Sequence, residues 1–262
     1  MLKQSSYVAA TPDADGRIAY TDEENAVWRD LFRQQLPAVH EHAAEPYLKG
    51  LEALDLSRER VPQCPEVSAR LEPLTGWHVE PVPALIGFGR FFDMLARKRF
   101  PAASFIRRRE HFDYIEEPDI FHEIFGHTPL LTDARFAGFS EAIGRAGRRA
   151  DKSEHAWLIR LYWFTIEFGL TREGGTLKAL GSGLASSPTE LPRSVLAEGA
   201  TRRPFDIVDI LRTPYRIDIH QPVYFVLDDV DDLTAAAERD LLADARTAKR
   251  LGLHEPRFAQ AS

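Results

Sequence analysis

Cysteine is almost missing from this 262-residue chain: it occurs once, at Cys64. A single thiol excludes an intrachain disulfide and fits a reducing compartment, and Cys64 reads as an incidental small side chain. Long apolar runs are missing too. Nowhere do about eighteen apolar residues follow one another, and residues 1–16 hold no apolar stretch of signal-peptide length, so the expectation is a soluble, cytoplasmic protein. A basic surplus is also lacking. The 33 lysines and arginines face 40 acidic residues, a net charge of −7, which argues against nucleic acid or an anionic membrane as partner. Arg107-Arg108-Arg109 is too short a basic run to reverse that. There is no internal repeat, no low-complexity block and no sustained heptad pattern.

What is present is apolar mass: 44% of the residues are hydrophobic, enough to bury one sizeable core. The expected organisation is a mobile leader over residues 1–20 and a single catalytic domain over 21–262. Thr21 and Glu24 have capping-box spacing, and Val27, Trp28, Leu31, Phe32 and Leu36 recur at helical intervals, with more helix through Leu54 and an interruption at Pro37. Helices are also expected over 65–74, 84–95, 132–150, 153–168, 188–198 and 234–251. Residues 77–83, 102–107 and 215–226 read as extended, and Gly174-Gly175 reads as the turn of a hairpin. The class is therefore mainly α with a few short strands, without βαβ alternation.

Chemistry concentrates in residues 117–129, where His122, Glu123 and His127 stand in otherwise apolar sequence. The histidines are five apart. On a straight α-helix, at about 100° per residue, that spacing would separate them by roughly 140°. Gly126, followed by Pro129, is expected to end the helix so that the second imidazole turns back toward the first. Glu167 lies alone in the apolar run 162–170, where an unpaired charge is costly, and becomes the candidate third ligand. Two histidines and one carboxylate suit non-haem Fe(II), leaving positions open for dioxygen. The same set suits zinc with a bound water and Glu123 as general base, which would make a hydrolase. The aromatic neighbours Phe121, Phe125, Tyr162, Trp163, Phe164 and Phe168 favour oxygen chemistry in a dry pocket.

The stretches Pro118-Asp119-Ile120-Phe121-His122-Glu123-Ile124-Phe125-Gly126-His127-Thr128-Pro129-Leu130 and Tyr162-Trp163-Phe164-Thr165-Ile166-Glu167-Phe168-Gly169-Leu170 resemble the pterin-dependent aromatic amino acid hydroxylases. Residues 81–86 and 105–108 share the likeness, which runs from about Trp28 to Val230. The resemblance implies a helical catalytic domain in which His122, His127 and Glu167 hold Fe(II) and the cofactor is tetrahydrobiopterin or a related tetrahydropterin. It places the pterin near Phe91, Ile86 and Leu85, with Glu123 and Tyr162 facing it as candidate catalytic side chains. Arg107, held by Asp119, would pair with the substrate carboxylate. The substrate ring would sit among Pro118, Trp163 and Phe168, with Ser186 and Ser187 near its backbone. The implied reaction uses O2 to convert L-phenylalanine to L-tyrosine. Trp163 and the apolar Ile217 favour phenylalanine over tryptophan or tyrosine. The missing heptads point to a monomer.

Overall fold

The computed structural model describes residues 7–83, 86–113, 115 and 117–258. Helix α1, Asp22–His42, starts where the sequence places it: Thr21 accepts from the Glu24 N–H and Glu24 answers at the Thr21 backbone. Pro37 lies inside α1 and does not interrupt it. It removes one backbone donor, but the buried stripe of Val27, Trp28, Leu31, Phe32, Gln35 and Val39 continues on both sides and holds the helix to the core. Next come α2, Glu45–Leu54, and α3, Cys64–Thr75, which stops at Gly76 in the left-handed conformation.

Strands β1, His78–Val82, and β2, Arg99–Ala103, are joined through α4, Phe88–Leu95. They pair in parallel and make a small βαβ crossover, as Thr201–Pro204 and Val223–Leu227 do around the helix Ile207–Arg212, where none was expected, because four- and five-residue strands leave little pattern in the sequence. The strand expected over 102–107 starts three residues earlier and ends at Ala103, and α4 begins at Phe88 and not near residue 84. A first π-helical turn, His122–His127, leads toward α5, Ala134–Arg149, and α6, Lys152–Tyr162. A second π turn, Trp163–Glu167, directly continues α6.

The hairpin of β3, Leu170–Glu173, and β4, Thr176–Ala179, turns through Gly174 and Gly175 at φ 56° and 82°, the pair of positive values a tight hairpin turn needs. Then follow α7, Ser182–Ala185; α8, Glu190–Leu196; β5, Thr201–Pro204; α9, Ile207–Arg212; and β6, Val223–Leu227. The closing helix expected over 234–251 is two helices, α10, Asp232–Ala237, and α11, Leu241–Leu251. The larger sheet runs β4-β3-β6-β5. One apolar core spans the chain from Val27 to Ala248, and helix dominates, as the class requires.

Residues 7–20 are not a free leader over their described part. Tyr7 is buried and stacks on Phe105 with centroids 4.5 Å apart, Ala10 donates to the Ser104 carbonyl, and Ile18 donates to Gln63. Tyr7, Ile18 and their few polar neighbours are too sparse to form a period, so the sequence gives no sign of this packing.

Candidate active site

The two histidines meet because the backbone between them is wound as a π-helix, not because Gly126 ends a helix. A π turn closes on the fifth residue, so a five-residue spacing puts both side chains on one face. Their ring centroids lie 4.8 Å apart and their Nε2 atoms 3.1 Å apart. The second π turn carries Glu167, and its i to i+5 bond from the Phe168 N–H to the Trp163 carbonyl is 2.9 Å. Gly126 serves close approach: a Cβ there would stand 2.8 Å from the Ser182 carbonyl oxygen on α7. A Cβ at Gly183 would stand 3.0 Å from Glu167 Oε2, so α7 lies against both π turns.

Glu167 Oε1 is 3.1 Å from His127 Nε2, and Oε2 is 3.6 Å from His122 Nε2. Three donors bound at about 2.1 Å on one octahedral face stand about 3 Å apart, so the trio fits a single cation. Glu123 also comes within 4.8 Å of both imidazoles. Protonation separates the two acids. Burial opposes ionisation of Glu167, but the two imidazoles and the Ser182 hydroxyl outweigh it and hold its pKa down at about 2. Burial, reinforced by Glu167 and Asp119, pushes Glu123 well above the usual carboxylate range. Glu167 is therefore the more acidic of the two and the anion a metal needs, whereas burial and the neighbouring carboxylates favour the protonated form of Glu123.

Burial also lowers the His122 pKa to about 4, leaving a neutral imidazole. Its tautomer follows from its partners. The Ser186 hydroxyl donates to the Ser182 carbonyl at 3.1 Å, so its oxygen accepts the His122 Nδ1–H at 2.9 Å and leaves the Nε2 lone pair facing Glu167. Partners of this kind typically tune metal affinity 10–100-fold. Ser186→Ala is accordingly expected to weaken Fe(II) or Co(II) binding by about that factor in a metal titration; unchanged affinity would contradict it. On the other side, Phe100 packs on the His127 ring with centroids 4.6 Å apart, and the Tyr162 hydroxyl lies 3.4 Å from His127 Nδ1. Burial keeps Tyr162 a phenol, its pKa well above the ordinary value.

Arg107 and Asp119 form a buried pair beside this centre. Arg107 donates through Nε at 2.8 Å, Nη2 at 3.0 Å and its backbone N–H at 2.9 Å, and the His122 N–H adds a fourth donor to Asp119 at 3.1 Å. Asp119 thus ties the arginine to the first π turn. It uses the Nε edge of the guanidinium, and on the other edge Nη1 makes a long 3.4 Å bond to the Phe112 carbonyl, so a carboxylate approaching the Nη1–Nη2 fork shares Nη1 with Phe112. Burial alone would raise the Asp119 pKa, but the Arg107 charge and these hydrogen bonds bring it below the usual value. An unfolded aspartate titrates near about 3.9, so a depressed folded value adds stability that is complete above about pH 5 and is lost as pH falls through the folded pKa. The melting temperature is expected to fall more steeply from about pH 5 to 3 in the parent than in Asp119→Asn; parallel curves would contradict this.

The aromatic wall is also assembled. Trp163 packs on Phe168 and on Tyr215, with centroids 4.6 and 4.5 Å apart, and Phe91 meets Tyr162 edge-on at 5.0 Å. Ile86 and Pro118 are partly buried, and Leu85 lies outside the described residues. Ser187 Oγ accepts from the Glu190 N–H at 3.1 Å, at the start of α8. Ile217 is 68% exposed. Cys64 is buried with its thiol pushed up to about 12 by burial, in keeping with a passive side chain. Sequence reading missed Ser182 and Gln221, single polar residues that touch the site only through the fold. Ser182 Oγ reaches His127 Nε2 at 3.2 Å and Glu167 Oε2 at 3.3 Å.

A family model described as biopterin-dependent aromatic amino acid hydroxylase matches residues 7–244. The phenylalanine-4-hydroxylase of Pseudomonas aeruginosa is 47% identical over 257 residues, 98% of each chain. The apo structure of the cold active phenylalanine hydroxylase from Colwellia psychrerythraea 34H superposes with a TM-score of 0.93 at 49% identity, covering 96% of this chain and 98% of that one. The Chromobacterium violaceum phenylalanine hydroxylase with bound oxidised Fe(III) gives a TM-score of 0.87 at 34% identity over 93% of this chain and 91% of the other.

Proposed function

The chain belongs to the biopterin-dependent aromatic amino acid hydroxylases, and on that premise we propose that it converts L-phenylalanine to L-tyrosine with O2, non-haem Fe(II) and a tetrahydropterin. The observation that carries the proposal is the trio His122, His127 and Glu167, whose donor atoms lie 3.1 to 3.6 Å apart in a wall of aromatic rings. These residues would hold the iron. When bound together, iron and reduced pterin supply the reductive activation of O2 that puts one oxygen atom on the substrate ring and leaves the other with the pterin.

The chain's own residues bind, orient and exclude water. Arg107 offers the Nη1–Nη2 edge of its guanidinium to the substrate carboxylate, with Nη1 shared with the Phe112 carbonyl, and Asp119 fixes the direction of that edge. Trp163, Phe168 and Pro118 make an apolar slot for an unsubstituted ring. Phe91 and Tyr162 form the corner assigned to the pterin, and Glu123, whose protonated form burial favours, faces the same corner. Burial of these groups strengthens each polar contact and keeps bulk water from the reacting atoms.

Comparing kcat/KM for phenylalanine, tyrosine and tryptophan, with Fe(II) and tetrahydropterin supplied, tests the substrate; a preference for either competitor would overturn the assignment. Among the described residues no helix is long and apolar enough to cross a membrane. The proposal includes a cytoplasmic enzyme working as a monomer, and sedimentation equilibrium showing a stable oligomer would contradict the latter.

A further inference from the structure

We infer that Gln221 is a positioning residue for the substrate ring, acting through the indole of Trp163 and itself held by Glu190. The inference rests on the reading of Trp163 as part of the substrate slot. Tyr215 and Phe168 pack on the Trp163 ring system, but such contacts are weakly directional within the ring plane. The bond from Trp163 Nε1 to Gln221 Oε1, 3.1 Å, fixes the remaining rotation.

Gln221 can present only its oxygen there. Its Nε2 hydrogens are used by the Arg216 carbonyl at 2.8 Å and the Ile219 carbonyl at 3.1 Å, and a reversed amide would set an N–H against the indole N–H. The side chain is 1% exposed, so its partners face no competition from water. The Gln221 backbone N–H donates to Glu190 Oε1 at 2.8 Å, and the same oxygen accepts the Tyr224 hydroxyl. Glu190 opens α8, four residues after Ser186, which sets the tautomer of His122. One short segment, 182–190, therefore fixes the metal-facing imidazole at one end and, through Gln221, the indole wall at the other. The attitude of the substrate ring toward the metal is set by that shared frame.

The test is a double-mutant cycle in the iron-loaded enzyme with Gln221→Met, Trp163→Phe and both together. Gln221→Met is expected to raise the phenylalanine KM about fivefold, the loss of one ordinary hydrogen bond, and to lower the tyrosine formed per tetrahydropterin oxidised. The pterin KM and the iron affinity should stay within about twofold of the parent. In the Trp163→Phe background the same change should add less than about twofold. An equal effect in both backgrounds, or none in the parent while Trp163→Phe shifts KM and coupling, would overturn the inference. Trp163→Phe without effect on either would instead sink the placement of Trp163, and the inference with it. Should Gln221→Met fail to fold, ultraviolet resonance Raman difference spectra of the parent against Trp163→Phe isolate this indole. A hydrogen-bonded N–H band supports the role and a free one overturns it.

Discussion

Glu167→Gln is expected to lose iron and tyrosine formation together while keeping the fold. The substitution preserves shape, so Ser182 and the wall of α7 keep their neighbour, but it removes the anionic member of the proposed ligand set, with its pKa held near 2 by the imidazoles. A cation then faces two neutral nitrogens and an amide in a buried site. Losing one partner of a buried charged pair costs about 3–5 kcal/mol, so iron affinity should fall by at least about 10²-fold and turnover at fixed iron with it. Metal content after dialysis and tyrosine formation are the measurements. Retained iron with lost activity would move Glu167 out of the ligand set. Retained activity would remove the triad altogether.

Arg107→Ala carries the second large effect, and it divides into two parts. On the proposed role, removing the guanidinium takes a charge-assisted partner from the substrate carboxylate, and the phenylalanine KM is expected to rise about 10²-fold with the pterin KM unchanged. Asp119 is also left fully buried without its cation, at a cost of about 3–5 kcal/mol in stability, which a denaturant titration reads separately. Arg107→Lys separates the parts. A lysine keeps a charge near Asp119 but has no fork, so stability should partly recover while KM stays high. A KM restored by lysine would mean that charge alone, and not the planar edge turned away from Asp119, recognises the carboxylate.

The structure clarifies which features the sequence could carry. Local devices were legible because their partners lie close in sequence: the Thr21–Glu24 capping box and the Gly174-Gly175 turn each act within one turn of chain. The residues proposed as ligands stood out by type, since charged and imidazole groups in apolar runs demand a partner. Their geometry did not. Reading a five-residue spacing through α-helical angles forced Gly126 into the role of helix breaker, whereas π winding solves the spacing and leaves Gly126 to admit α7. Pro37 inside α1 shows tertiary burial overriding a local breaker. Ser182 and Gln221 were invisible for another reason. A serine 55 residues from His127 and a glutamine 58 residues from Trp163 gain meaning only when the chain folds them together.

The central claim, that this centre uses O2 and reduced pterin to hydroxylate phenylalanine, is tested most directly by oxygen isotope incorporation. Iron-loaded protein is given phenylalanine, tetrahydropterin and oxygen-18-labelled O2, and the tyrosine is analysed by mass spectrometry alongside the pterin consumed. The account predicts one labelled oxygen atom in each tyrosine, one tetrahydropterin oxidised for each tyrosine formed, and no product when either iron or pterin is withheld. Unlabelled tyrosine, or turnover that proceeds without pterin, would contradict it.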